Sequence, residues 1–141
     1  MISAITSKKI GAQAENFACH YLKTQGLSLI IRNYICRFGE IDLIMQDKNT
    51  LIFIEVRYRS DASFGHSLET VHKTKQKKLI KTADYYLQAH PLSSSANDAY
   101  RFDVVAFSSL PNRAKQRWFA NKSTSKYCHA KVEWIKNAFS R

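Results

Sequence analysis

Residues 39–59 read GEIDLIMQDKNTLIFIEVRYR, two apolar runs joined by the short polar stretch QDKNT. The carboxylates inside those runs decide which folds can hold them. Alternation along an extended chain puts Glu40 and Asp42 on one side of the first run and Ile41, Leu43 and Met45 on the other. Glu55, Arg57 and Arg59 likewise share one side of the second run. A carboxylate set between apolar neighbours is costly to bury unless a cation or several donors meet it. Two adjacent strands that each carry one therefore imply a common partner. A hard divalent cation fits, because Mg²⁺ is held by one or two carboxylates and otherwise by water and phosphate oxygens. Arg57 would then stand beside the metal and face the phosphate. A structural ion pair of Asp42 or Glu55 with Arg57 fits as well, and the residues alone leave both readings open.

Upstream of this pair, LSLIIRNYICR from Leu27 reads as another strand, so three short strands follow one another as an antiparallel meander: Leu27–Arg37, Glu40–Met45 and Leu51–Arg59. Ahead of them a helix is expected from a cap at Ser7 to about Thr24, closed by Gly26, with Ile10, Ala14, Phe17, Ala18, Tyr21 and Leu22 at helical spacing. At about 100° per residue Glu15 falls at the border of that apolar stripe, where it can reach a cleft at the edge of the core. Read alone, it is an ordinary solvated glutamate.

Downstream, a second helix is expected from Glu69 to about His90, packing Val71, Leu79, Ile80, Ala83, Tyr86 and Leu87 and ended by Pro91. Lys73, Lys77 and Lys81 stand four apart on its other face. RFDVVAF from Arg101 is a further strand that can run parallel to one of the meander through the helical crossover. Arg101 and Asp103 share a face there and are expected to pair structurally. VEWIKNAF, residues 132–139, suits either a last short strand or a docked helical turn. The expected order is αβββαβ.

The chain has 141 residues, which suits one domain spanning 1–141, interrupted by a basic, aperiodic insertion at about 108–131. Lys and Arg number 22 against 11 Asp and Glu, a formal charge of +11. That charge is segregated: residues 1–66 carry 8 basic and 6 acidic side chains, whereas 67–131 carry 12 and 4. A polyanion is the expected partner. No run approaches the ~20 apolar residues of a membrane span, and MISAITSKKIGAQ lacks the pattern of a secretory signal. A cytoplasmic protein is expected. Cys19, Cys36 and Cys128 are odd in number and far apart, as suits reduced thiols, and no CysxxCys pair suggests zinc.

Several blocks carry a resemblance. The spacing from GEIDLI to IFIEVRYR resembles the metal-binding core of the PD-(D/E)xK nuclease superfamily, which has the restriction-endonuclease-like fold. More closely, GAQAENFA, RNYICRFGEIDLI, FIEVRYRS, VHKTKQKKL, RFDVVAF and EWIKNAF together resemble the YraN family of small bacterial proteins. Archaeal Holliday-junction resolvases are similar in fold and in using a first-helix glutamate. The resemblance implies an α/β domain with a restriction-endonuclease-like αβββαβ core, a mixed central sheet and flanking helices. It implies Glu15 as the first-helix acid, Asp42 and Glu55 as ligands of Mg²⁺ or Mn²⁺, and Arg57 at the position that is lysine in most of the superfamily. Arginine can position water and stabilise charge on the phosphorane, but it stays protonated. Proton removal would then fall to the metal site or to Glu15.

The resemblance also places Lys75 and Gln76 where superfamily nucleases carry a Lys or Gln facing the site. With Lys73, Lys77 and Lys81 they are the candidate nucleic-acid contacts; a plain solvated basic face is the competing reading. Arg113, Lys115, Arg117, Trp118, Phe119, Lys122, Lys126 and Tyr127 mix cations with aromatics in a way that suits phosphate contact and base stacking, and a loose insertion with incidental charge is the competing reading. Three functions follow: a metal-dependent nuclease acting on structured or branched nucleic acid, DNA first; a binding module that kept the fold and lost turnover; or a structural component of a ribonucleoprotein particle. No membrane partner is expected, and a homodimer is compatible with all three.

Overall fold

The computed structural model describes residues 4–58, 71–92, 99–107 and 132–141, the side chains of residues 4–10 excepted. Helix α1 (Ala4–Thr24) leads into a meander of β1 (Ser28–Cys36), β2 (Gly39–Asp47) and β3 (Thr50–Tyr58). Helix α2 (Lys73–Ala89), β4 (Ala99–Phe107) and β5 (Val132–Phe139) follow. The strands form one sheet in the order β1-β2-β3-β4-β5. Every pair is antiparallel except β3–β4, which is parallel and joined through α2. This is a mixed α/β fold consistent with a restriction-endonuclease-like core.

The sheet has a core on each face. On one side Ala14, Phe17, Ala18 and Leu22 of α1 pack on Leu43, Met45, Ile52, Ile54, Val105 and Phe107. On the other, Leu79, Ala83 and Tyr86 of α2 pack on Ile41, Ile44, Leu51, Phe53, Phe102 and Val104. With both faces covered, β3 reads as an unbroken buried run from Leu51 to Glu55 rather than an alternating one. α1 ends in a Schellman motif: Gly26, at φ +96°, donates to Lys23 O and Leu27 N donates to Leu22 O. Leu22 and Leu27 are both buried in the α1 core, so the helix end and the start of β1 are fixed together.

Three expectations are corrected and one left open is decided. Ser7 does not cap α1 but lies inside it, since Ser is only slightly poorer than Ala within a helix and Ala4–Thr6 continue the turn. α2 begins at Lys73 rather than Glu69, because Gln76 Nε2 donates to Val71 O at 2.8 Å and His72 is held extended as the N-cap. Of the two forms open to residues 132–139 the structure has the strand, which extends the expected αβββαβ core to αβββαββ. What fastens β5 is Asp103, fully buried on β4: it accepts from Arg101 Nε at 2.9 Å, Trp134 Nε1 at 2.9 Å and Asn137 N at 2.9 Å. These donors offset the cost of burying a carboxylate. The expected Arg101–Asp103 pair is therefore present.

The third correction concerns alternation along β2. Leu43 and Met45 face α1, yet Ile41 packs in the α2 core, so the side switches between Ile41 and Leu43. The β1–β2 register pairs Arg32 with Leu43 and Tyr34 with Ile41, which leaves Asn33 facing Asp42. Asn33 has φ +50°, a left-handed conformation that Asn tolerates better than most residues. The strand pair is bent at Asp42.

Candidate metal and phosphodiester site

The bend and the end of a ladder coincide. β2 and β3 pair from Asp47–Thr50 to Leu43–Ile54. Continuing that register by one step sets Asp42 across from Glu55, but there the two strands part. Asp42 Oδ2 accepts Val56 N–H at 2.8 Å in place of a backbone partner. The carboxylates of Asp42 and Glu55 thus stand at the open end of a fork, between α1 and α2.

Glu55 is buried, and one of its oxygens, Oε1, meets Arg57 Nε at 3.4 Å and Lys75 Nζ at 3.3 Å. Among the described residues its other oxygen, Oε2, is buried without a hydrogen-bond partner. Burial raises the Glu55 pKa to about 7, helped by the Asp42 charge and opposed by Lys75 and Arg57. Burial also raises Asp42, against the Val56 hydrogen bond and Lys75. Glu15, half-buried on α1, is raised first by burial and next by Asp42, while a hydrogen bond with the Asn33 side chain pulls it down. Burial is the largest cause for all three carboxylates, and Lys75 and Arg57 offset it only in part at Asp42 and Glu55.

Glu15, Asp42, Glu55 and Arg57 therefore gather at one end of the sheet, and Lys75 joins them from the first turn of α2. Gln76 is turned back to the Val71 carbonyl. Lys73, Lys77 and Lys81 are exposed along α2. Arg59 and residues 108–131, with their cations, aromatics and Cys128, lie outside the described residues. Cys19 and Cys36 are free thiols. Among the described residues no helix is long and apolar enough to cross a membrane.

Two contributors escaped the sequence reading. Asn33 takes a left-handed conformation within β1 and hydrogen-bonds Glu15, and its signal was a poor strand former in the middle of LSLIIRNYICR. The Val56 N–H, which holds Asp42 in place, leaves no trace in the sequence.

The donor set suits a hard ion. Asp42 and Glu55 supply carboxylate oxygens, and the orphaned Oε2 is a buried acceptor that a cation would satisfy. Among the described residues no group of three or more His, Cys, Asp or Glu side chains is placed to hold one metal ion.

The family model described as uncharacterised protein family UPF0102 matches residues 14–107. That span runs from α1 to the end of β4 and includes Glu15, Asp42, Glu55, Arg57 and Lys75. The chain belongs to the UPF0102 family. A UPF0102 protein of Nitrosococcus oceani is 49% identical over 113 residues, covering 80% of this chain and 90% of the relative. One from Psychromonas ingrahamii is 43% identical over 139 residues, 99% of this chain and 94% of the relative. One from Pseudomonas syringae is 39% identical over 134 residues, 95% of each. UPF0102 relatives thus match this chain over nearly their whole length.

Proposed function

We propose that this UPF0102 protein is a metal-dependent nuclease that binds structured or branched nucleic acid, DNA first, and hydrolyses its phosphodiesters. The observation that carries the reading is the fork between β2 and β3, where Asp42 lies close enough to Glu55 to raise its pKa and, among the described residues, Glu55 Oε2 lacks a hydrogen-bond partner. Asp42 and Glu55 would hold Mg²⁺ or Mn²⁺, which when bound supplies a Lewis acid for the phosphoryl oxygens and a more acidic water.

The chain does the rest. Arg57 is permanently protonated and stands next to Glu55, where it can stabilise charge that develops on the phosphate. Lys75 sits on the opposite helix against the same carboxylate and can contact a neighbouring phosphate oxygen. Glu15, with its raised pKa and its hydrogen bond to Asn33, is set to orient a water and take its proton. Lys73, Lys77 and Lys81 offer backbone contacts beyond the site.

A second reading keeps the binding and drops the chemistry. It rests on one observation: Glu55 already meets two cations, Arg57 and Lys75. Incubation of the protein with end-labelled junctions, flaps, overhangs and blunt duplexes in Mg²⁺, Mn²⁺ or EDTA separates the two. The nuclease reading expects cleavage with either metal, none in EDTA, and none by Asp42→Asn. Metal-independent binding with no product from any substrate would leave the binding module.

A further inference from the structure

The tip of the β1–β2 hairpin lies against α2 well away from Glu55. The Phe38 and Tyr85 rings meet edge to face at 5.8 Å, and the Arg37 guanidinium lies over both, 4.8 Å from the Phe38 centroid and 5.7 Å from that of Tyr85. Arg37 and Tyr85 are exposed, and among the described residues Arg37 makes no ion pair. The hairpin can come this close because β2 opens with Gly39. A Cβ there would stand 3.2 Å from Thr82 Oγ1 and 3.8 Å from Lys78 Cβ. Lys78 and Lys81, three apart, and Tyr85, four further on, follow one another along the same flank of the helix. An exposed guanidinium stacked on two rings therefore stands on the side of α2 that carries these two lysines.

We propose that Arg37, Phe38 and Tyr85 form a stacking platform for an unpaired nucleobase. The inference rests on the nucleic-acid reading given above and names its substrate class. Within a duplex both faces of a base are covered by its neighbours, so aromatic and guanidinium planes can engage only a base that is terminal, bulged or single-stranded. Ten residues of helix separate Lys75 from Tyr85, about 15 Å at ~1.5 Å per residue. That distance spans about four nucleotides at a ~3.4 Å rise. Lys78 and Lys81 lie along the path, as phosphates between the two points would require. The favoured substrate is therefore a nucleic acid with an unpaired segment about four nucleotides from the cleaved bond.

The test is made in EDTA, so that no cleavage is needed. Fluorescence anisotropy compares a duplex bearing a four-nucleotide single-stranded overhang with a blunt duplex, both labelled at the far end. Wild type is expected to favour the overhang by about 5- to 150-fold, the range that stacking of one base supplies. Tyr85→Ala and Arg37→Ala should each shrink that preference towards unity with little change on the blunt duplex, and Tyr85→Phe should keep it. A 2-aminopurine in the overhang should be quenched by wild type and Tyr85→Phe and released in Tyr85→Ala. Equal affinity of wild type for the two DNAs, or a preference that survives Tyr85→Ala and Arg37→Ala, would overturn the platform even if cleavage is seen with Mg²⁺. An overhang preference that depends on Tyr85, without cleavage in Mg²⁺, would uphold the platform and reject the nuclease. No binding to either DNA would overturn both.

Discussion

Replacing Glu55 by glutamine should make the metal-free protein more stable at alkaline pH. Glu55 is 6% exposed, and its pKa rises from 4.5 to about 7 on folding. Between those values the folded chain keeps a proton that the unfolded chain has lost. The contribution of this group to stability is therefore greatest below pH 4.5, falls as the pH rises towards 7, and stays low above it. The interval corresponds to roughly 3 kcal/mol. Glutamine mimics the protonated side chain, so Glu55→Gln should match wild type near pH 4 and exceed it by up to roughly 3 kcal/mol at pH 8 in EDTA. For a chain of this length that is a Tm difference of about 10 °C. Mg²⁺ should narrow or reverse the gap, because an ion that binds only folded wild type adds about 2.7 kcal/mol at a hundred times its Kd. Thermal and urea unfolding of both proteins at pH 4, 6 and 8, with EDTA or Mg²⁺, reads all of this. A Glu55→Gln protein less stable than wild type at pH 8 in EDTA, or a difference that ignores pH, would show that Arg57 and Lys75 fully compensate the carboxylate and would refute the reasoning.

Asp103→Ala removes the acceptor of Arg101, Trp134 and Asn137 and leaves a half-buried guanidinium against the core, so it should cost about 3–5 kcal/mol in urea unfolding. Asp103→Asn should cost less, and neither effect should depend on Mg²⁺. Reversing the charge of Lys73, Lys77 and Lys81 together should flatten the log–log dependence of DNA affinity on salt, which runs at about 0.9 per phosphate neutralised on duplex; an unchanged slope would move the interface off α2. Arg57→Lys should lower the cleavage rate of an enzyme tuned to arginine, measured under single-turnover conditions with nucleic-acid affinity held constant. A gain in rate would instead indicate a decayed site.

The meander, both helices and the parallel strand after α2 were legible because their apolar periods are strong. The heavily buried LIFIE run and the Lys-rich face of α2 each admit one plausible placement. β5 stayed ambiguous because VEWIKNAF is short and half-exposed, and its anchor is Asp103, some thirty residues earlier on β4. The start of α2 was misplaced for a local reason, the Gln76 amide folding back on Val71. The pairing of Asp42 with Glu55 could be read from strand alternation, but the switch of side at Ile41 could not. It arises from a left-handed Asn33 on the neighbouring strand and from the parting of β2 from β3, which are tertiary events. The Arg37–Phe38–Tyr85 cluster was equally invisible, since it joins a hairpin tip to a helix nearly fifty residues away.

The central claim is that Asp42 and Glu55 together hold a divalent ion. Mn²⁺ titration followed by electron paramagnetic resonance, on wild type, Asp42→Asn and Glu55→Gln at pH 8, measures this without any substrate. The account predicts loss of free-Mn²⁺ signal with wild type, competition by Mg²⁺, and little or no binding by either variant while both remain folded. Mn²⁺ binding by wild type no stronger than by folded Asp42→Asn would contradict it.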